Sequence, residues 1–171
     1  MQALSSLYVE RRGRLRQGQD LDSAGKRAAF ALYFAPLHFL LVREVVRALG
    51  AAAPPPSPIV DLGCGTGAAG AAWAVETGGR SEVEGVDRSA WAVAEARWAL
   101  KALRLRGRAH RGAAEKAPLP RRRGAVIAAF TLNELSVAAR AALLPRLVAA
   151  GREGARVLVI EPIARRHLPW W

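Results

Sequence analysis

Residues 59–67 read Ile-Val-Asp-Leu-Gly-Cys-Gly-Thr-Gly, and no other stretch constrains the fold of this chain as strongly. Ile59 and Val60 favour a buried extended strand, and a strand apolar on both faces belongs to a parallel sheet. Gly63, Gly65 and Gly67 then make a tight turn whose backbone must lie against a ligand. Without Cβ atoms, ligand atoms can sit closer to the main chain than beside any other residue. The alanine-rich segment that follows, 68–75, reads as a helix whose first amides face the same spot.

The rest of the chain supplies what such a strand needs. Residues 1–22, with Arg11, Arg12, Arg14 and Arg16, read as a basic arm, and 23–50 as a helical cover. Ser23 can cap a helix that runs from Ala24 toward Leu49, with a break expected at Pro36. Pro54-Pro55-Pro56-Ser57-Pro58 makes a stiff connector. Strands are then expected at 59–62, 82–86, 108–111, 125–130 and 156–160, and helices at 68–76, 90–105 and 137–150. Strand alternating with helix means crossover units: a doubly wound, Rossmann-like α/β domain over 59–171 with a mostly parallel sheet.

Composition removes several alternatives. With 171 residues and 51% apolar content, the chain can bury a core and is not expected to be disordered. Cys64 is the only cysteine, which excludes an internal disulfide and leaves too few thiolates for a zinc or iron–sulfur site. No metal is expected, and a cytoplasmic setting is. The first ten residues show no basic stretch followed by an apolar core, so no signal peptide is visible. Residues 28–42 are nearly uncharged but too short to span a bilayer, and they contain Pro36 and His38; they read as a buried amphipathic helix, with no membrane association.

Two ligand classes fit a strand, a glycine turn and a helix. Gly63, Gly65 and Ala68 satisfy the dinucleotide fingerprint, and Asp87, closing strand two, can accept two hydrogen bonds from a ribose diol in either class. Asp61 separates them. A carboxylate beside a pyrophosphate repels it, whereas beside an ammonium it attracts.

Residues 61–67 resemble motif one of the class I S-adenosylmethionine-dependent methyltransferases. That resemblance implies a sheet of order 3-2-1-4-5 and S-adenosylmethionine as cofactor. Asp61 would lie near its amino-acid end, Gly63, Cys64, Gly65 and Gly67 would wrap its methionine portion, and Asp87 with Arg88 would face the ribose. The alternative for Asp61 is a cap for loop amides; Cys64 is expected to be a small side chain beneath the cofactor. The family often has an acid after strand three to meet adenine. Here alanines stand in that place, so adenine is held by backbone around Ala113 and Ala114, or Glu115 swings in. Trp91 borders adenine or packs its helix. Phe130 and Thr131, ending strand four, would face the transferable methyl group. Asn133 and Glu134 are the catalytic candidates, positioning a substrate or accepting a proton; Thr131 or Asn133 could instead cap the next helix.

Together, residues 61–67, 86–89, 131–135 and 159–162 resemble the mitochondrial small-ribosomal-subunit methyltransferase-like family and its bacterial relatives, over roughly residues 24–162. Larger members carry a metal-binding cysteine cluster that this chain lacks. The resemblance implies methylation of rRNA or, alternatively, a non-catalytic ribosome-assembly factor; a nicotinamide-dependent oxidoreductase is the third reading. A net charge of +12 is consistent with an RNA partner. Arg11, Arg12, Arg14, Arg16, Arg165 and Arg166 are expected near the cleft, and Arg104, Arg106 and the 121–123 triplet on the opposite rim. Phe30, Tyr33, Phe34 and His38 are expected to cover the cleft, His38 as a packed helix histidine or as a general base. The C-terminal hairpin usual in this fold is missing from the five visible strands, so a homodimer through the edge of strand five is expected.

Overall fold

The computed structural model describes residues 23–162. Five strands form one parallel sheet: β1 (Ile59–Leu62), β2 (Val83–Asp87), β3 (Gly107–Arg111), β4 (Ala125–Ala129) and β5 (Arg156–Ile160). Their order is β3-β2-β1-β4-β5, as expected, with a reversal on either side of β1. Register sets the ends of the strands: Ile59 pairs with Val83 and Ala125, and Asp87 pairs with Arg111. The carboxyl ends of β1, β2 and β4 therefore meet at one place, where an open α/β sheet binds its ligands.

Helices cover both faces. The N-terminal helix consists of α1 (Ala24–Ala29), a π-helical turn (Phe30–Phe34) and α2 (Ala35–Ala48); α3 is Ala68–Glu76, α4 Ala90–Ala102 and α5 Val137–Arg152. One face of the sheet packs Ile59, Val83 and Ile127 against Val42, Val46 and the alanines and Trp73 of α3. The other packs Val60, Val86 and Val126 against Leu143 and Leu147 of α5. Alternate strand residues point to opposite faces, which is why a run such as Ile59-Val60 serves both.

Three differences from the sequence reading are informative. The chain does not break at Pro36. Instead, Ala35 donates to the carbonyl of Phe30, five residues back, and this wider turn absorbs a proline that can neither donate nor fit against a normal fourth-back carbonyl. The helix is also longer and more exposed than a buried element. Ala24–Ala48 spans 25 residues with mean hydropathy 1.5 over its most apolar stretch, long and apolar enough to cross a membrane by length and composition. Val42 and Val46 are buried on the domain, while Leu32, Leu37, Leu40 and Leu41 face outward. Finally, the proline connector is not merely stiff. Arg156, opening β5, donates to the carbonyls of Ala51, Ala53 and Pro54, gripping it against the sheet.

Candidate functional site

The turn after β1 is shaped by close contacts. Gly63 has φ +64, and a Cβ there would stand 2.5 Å from Thr131 Cγ2. Thr131 in turn donates its hydroxyl to the carbonyl of Leu62 at 2.8 Å, stapling the ends of β1 and β4. Gly65 has φ +52, and its missing Cβ leaves room for the ring of Phe30 at 3.4 Å. Gly67 serves another purpose. A Cβ there would lie 3.1 Å from Ala96, so this glycine lets α3 start against α4.

Two acids fix the turn. Asp61 is buried, and its Oδ2 accepts from the Gly70 amide of α3 at 2.8 Å. Burial pushes its pKa up to about 7, against the pull of that amide and with a further push from Asp87. Asp87 accepts from the Gly65 amide at 2.9 Å through Oδ2 and from the Ser89 amide at 2.8 Å through Oδ1. Each oxygen keeps a second lone pair for a ligand hydroxyl. Cys64 packs between Val93, Ala96 and Ala109, and burial raises its thiol pKa well above the ordinary value. Burial thus disfavours the reactive thiolate form.

A cavity of about 520 Å³ opens over this turn. Of the expected cofactor residues, Asp61, Gly63, Cys64, Gly65, Asp87, Arg88, Ala114, Phe130 and Thr131 line it; Gly67 and Ala113 do not. Glu134 lines it and Asn133 does not. The Asn133 amide instead donates to Glu161 Oε1 at 3.2 Å. Neither Thr131 nor Asn133 caps α5; Ser136 does, accepting from Ala139. Glu115 does not swing in either. It pairs with Arg88 at 2.7 Å, and at the family's adenine position the wall is Gly112 and Ala114. Arg11, Arg12, Arg14, Arg16, Arg165 and Arg166 lie outside the described residues. No group of three metal-ligating side chains occurs among those described.

The N-terminal helix supplies the roof. His38 stacks on Phe130 with ring centroids 4.2 Å apart, and Phe30 meets Trp91 edge-on at 6.4 Å. Both Phe30 and His38 line the cavity, while Tyr33 points outward. Trp91 stands behind Phe30, outside the lining, with the Arg27 guanidinium 5.9 Å above its ring. Burial lowers the His38 pKa, leaving a neutral imidazole near pH 7. Phe130 holds φ +58, a left-handed conformation costly for a bulky residue, and its amide donates to Ile160 at 2.7 Å. Sequence reasoning missed Arg111 and Gly70. Arg111 becomes visible only once β3 is registered beside β2, and Gly70 only once α3 is docked over Asp61, where a Cβ would stand 2.9 Å from Oδ2.

Asp61, the glycine turn and Asp87 thus line one continuous cavity. The fold is shared with a glycopeptide N-methyltransferase, MtfA, in complex with sinefungin: TM-score 0.52 and 22% identity over 69% of this chain and 52% of that one. It is also shared with magnesium protoporphyrin IX methyltransferase from Synechocystis PCC 6803 with bound S-adenosylmethionine: 0.59 and 19% over 81% and 71%. A candidate O-methyltransferase from Nostoc punctiforme PCC 73102 gives 0.60 and 17% over 86% and 46%. The chain thus spans about half the length of the glycopeptide enzyme. No curated protein matches it. A profile of the methyltransferase domain, however, matches residues 59–154, more than half of the chain, and the chain belongs to that family.

Proposed function

We propose that this protein binds S-adenosylmethionine over the β1 turn and transfers its methyl group to an acceptor entering beneath the N-terminal helix. The observation that carries this reading is the pair of acids: a buried Asp61 and an Asp87 anchored by two amides, both lining one cavity. Asp61 would hold the ammonium and Asp87 the ribose hydroxyls, while the Cβ-free backbone of Gly63 and Gly65 admits the chain between them. When bound, S-adenosylmethionine supplies an electrophilic methyl group for direct displacement by an acceptor lone pair. The residues of this chain orient and shield that encounter. Phe30, Phe130 and His38 exclude water from the cavity, and the neutral imidazole of His38 can take a proton from an acceptor hydroxyl or amine.

The net charge of +12 favours RNA as the acceptor class. The narrower likeness to the ribosomal-subunit family rests on Asn133-Glu134-Leu135 and Glu161-Pro162. A second reading, a non-catalytic assembly factor that keeps the cofactor site, is favoured by the wall of Gly112 and Ala114, which offers adenine no carboxylate.

Calorimetry with S-adenosylmethionine, S-adenosylhomocysteine and NADH tests the reading directly. Binding of the first two and not of NADH is expected. Binding of NADH alone would overturn it in favour of a dehydrogenase. Cofactor binding with no radiolabelled methyl transferred to RNA, protein or small-molecule pools would favour the assembly factor.

A further inference from the structure

The positive charge of this chain is not spread evenly. Residues 88–111 hold seven arginines and lysines against one glutamate, half of the net +12 in about a seventh of the length. By contrast, residues 124–162, which build β4, α5 and β5, carry four basic against three acidic side chains. The basic segment is α4 followed by β3, the strand at one edge of the sheet, and α4 packs against β3.

That side is also organised. Arg97 Nε donates to the carbonyl of Ala109 at 2.7 Å, Arg106 to that of Arg80 at 2.6 Å, and Arg111 to that of Arg88 at 3.3 Å. These bonds fix the three guanidiniums without cancelling their charge, because a carbonyl carries none. Arg108 alone on the strand meets a carboxylate, that of Glu84 at 2.6 Å. Among the cations stands Trp98, 68% exposed on α4, with Arg97 beside it and Lys101 one turn further along the same helix face. Arg111 at the strand's end also lines the cofactor cavity, so the basic side runs to its mouth. Charged side chains on an edge strand deter strand pairing. That accounts for Arg108 and Arg111 but not for an exposed indole and Lys101 on the helix.

We infer that the α4–β3 side is a docking surface for a single-stranded polynucleotide, with Trp98 as a base-stacking platform and Arg97, Lys101, Arg104 and Arg106 as phosphate contacts. Backbone phosphates supply the charge such a surface meets, and unpaired bases supply flat faces for an exposed indole. Duplexes hide those faces, and anionic lipid has none. The surface needs no cofactor, so its failure and that of the methyl-transfer reading are separable.

The test is fluorescence anisotropy with labelled 20-mers of uridylate and of thymidylate, titrated at several salt concentrations with the full-length protein and no S-adenosylmethionine. The logarithm of affinity is expected to fall linearly with that of salt. Lys101→Glu with Arg104→Glu should lower affinity at least tenfold and flatten the slope by about 1.4, the value for two lost phosphate contacts on a single strand. Trp98→Ala should lower affinity roughly tenfold at an unchanged slope. Arg122→Glu with Arg123→Glu, the same charge change placed before β4, should cost less than threefold. The milder Lys101→Gln with Arg104→Gln pair guards against misfolding and should move affinity in the same direction. Preference for uridylate over thymidylate marks RNA as the natural source. Equal losses from the two reversed pairs would reduce the effect to bulk charge and overturn the assignment. Tighter binding to phosphatidylserine vesicles than to either oligomer would do the same.

Discussion

Asp61 carries the ligand argument and strains the ligand-free fold. Buried with one strong donor, the Gly70 amide, it is held at about 7, against an ordinary 3.8. A folded-state value above the unfolded one means that the folded chain keeps the extra proton; the resulting stability is complete below pH 3.8 and is lost as pH rises through about 7. A ligand ammonium needs the ionised form, so affinity should run the other way. Calorimetry with S-adenosylhomocysteine should show binding strengthening between pH 6 and pH 8, while thermal melts without ligand show stability falling. In Asp61→Asn, which keeps an oxygen for Gly70, both trends should flatten and affinity should drop by about 2 kcal/mol, as for a charge-assisted bond. A pH trend unchanged in that variant would remove Asp61 from the ammonium role. Gly63 makes a harder claim at the same scale. With φ +64 and Thr131 Cγ2 2.5 Å from a new Cβ, Gly63→Ala should cost about 3 kcal/mol in urea unfolding. Thr131→Ser in the same chain should recover part of that loss, because it removes the clashing methyl group.

Among the elements, the N-terminal helix is tied down unequally. At its C-terminal end, Arg43 and Arg47 grip both oxygens of Glu76 at 2.6 and 2.7 Å, and together they hold that carboxyl below its usual range. Over the cavity it rests on ring contacts, Phe30 on Trp91 and His38 on Phe130, and on the Arg27 guanidinium over the Trp91 ring. Phe30→Ala should therefore loosen the roof without unfolding the domain. The expected result is about a tenfold loss of S-adenosylhomocysteine affinity with a melting temperature within a few degrees of wild type. A large loss of stability instead would make this helix a core element. The contrast with the sheet explains what could be read in advance. β1, β4 and β5 are local patterns, apolar runs ended by glycine, proline or charge, and they stand where expected. Asp61 and Asp87 were legible because they sit at fixed steps from a motif. The grip on Glu76, the Arg156 clamp on the connector and the Arg88–Glu115 pair join residues 27 to 105 positions apart, and no spacing in a single sequence announces them. The π-helical turn escaped for another reason. Pro36 reads as a break by its own chemistry, and the wider turn just before it, closed by the Ala35 amide on the Phe30 carbonyl, lets the helix run through it.

For the molecule as a whole, charge must be weighed against the few ion pairs that offset it. A chain at +12 repels itself when compact, and salt relieves that repulsion; salt also weakens surface pairs such as Arg47–Glu44 and Arg121–Glu153. These two pairs are exposed, and pairs of that kind contribute at most about 1 kcal/mol each. The more sheltered Glu76 grip responds less to ions. Repulsion should win. Raising sodium chloride from about 20 to about 200 mM shortens the screening length from roughly 20 to below 10 Å, less than the width of the domain. The melting temperature should rise over that range, while polynucleotide binding, which salt always weakens, should fall. The two responses have opposite sign because one charge distribution is responsible for both. A melting temperature that fell with salt would mean that ion pairs outweigh self-repulsion. The surplus of α4 and β3 would then be compensated inside the fold, leaving no field to draw in a polyanion.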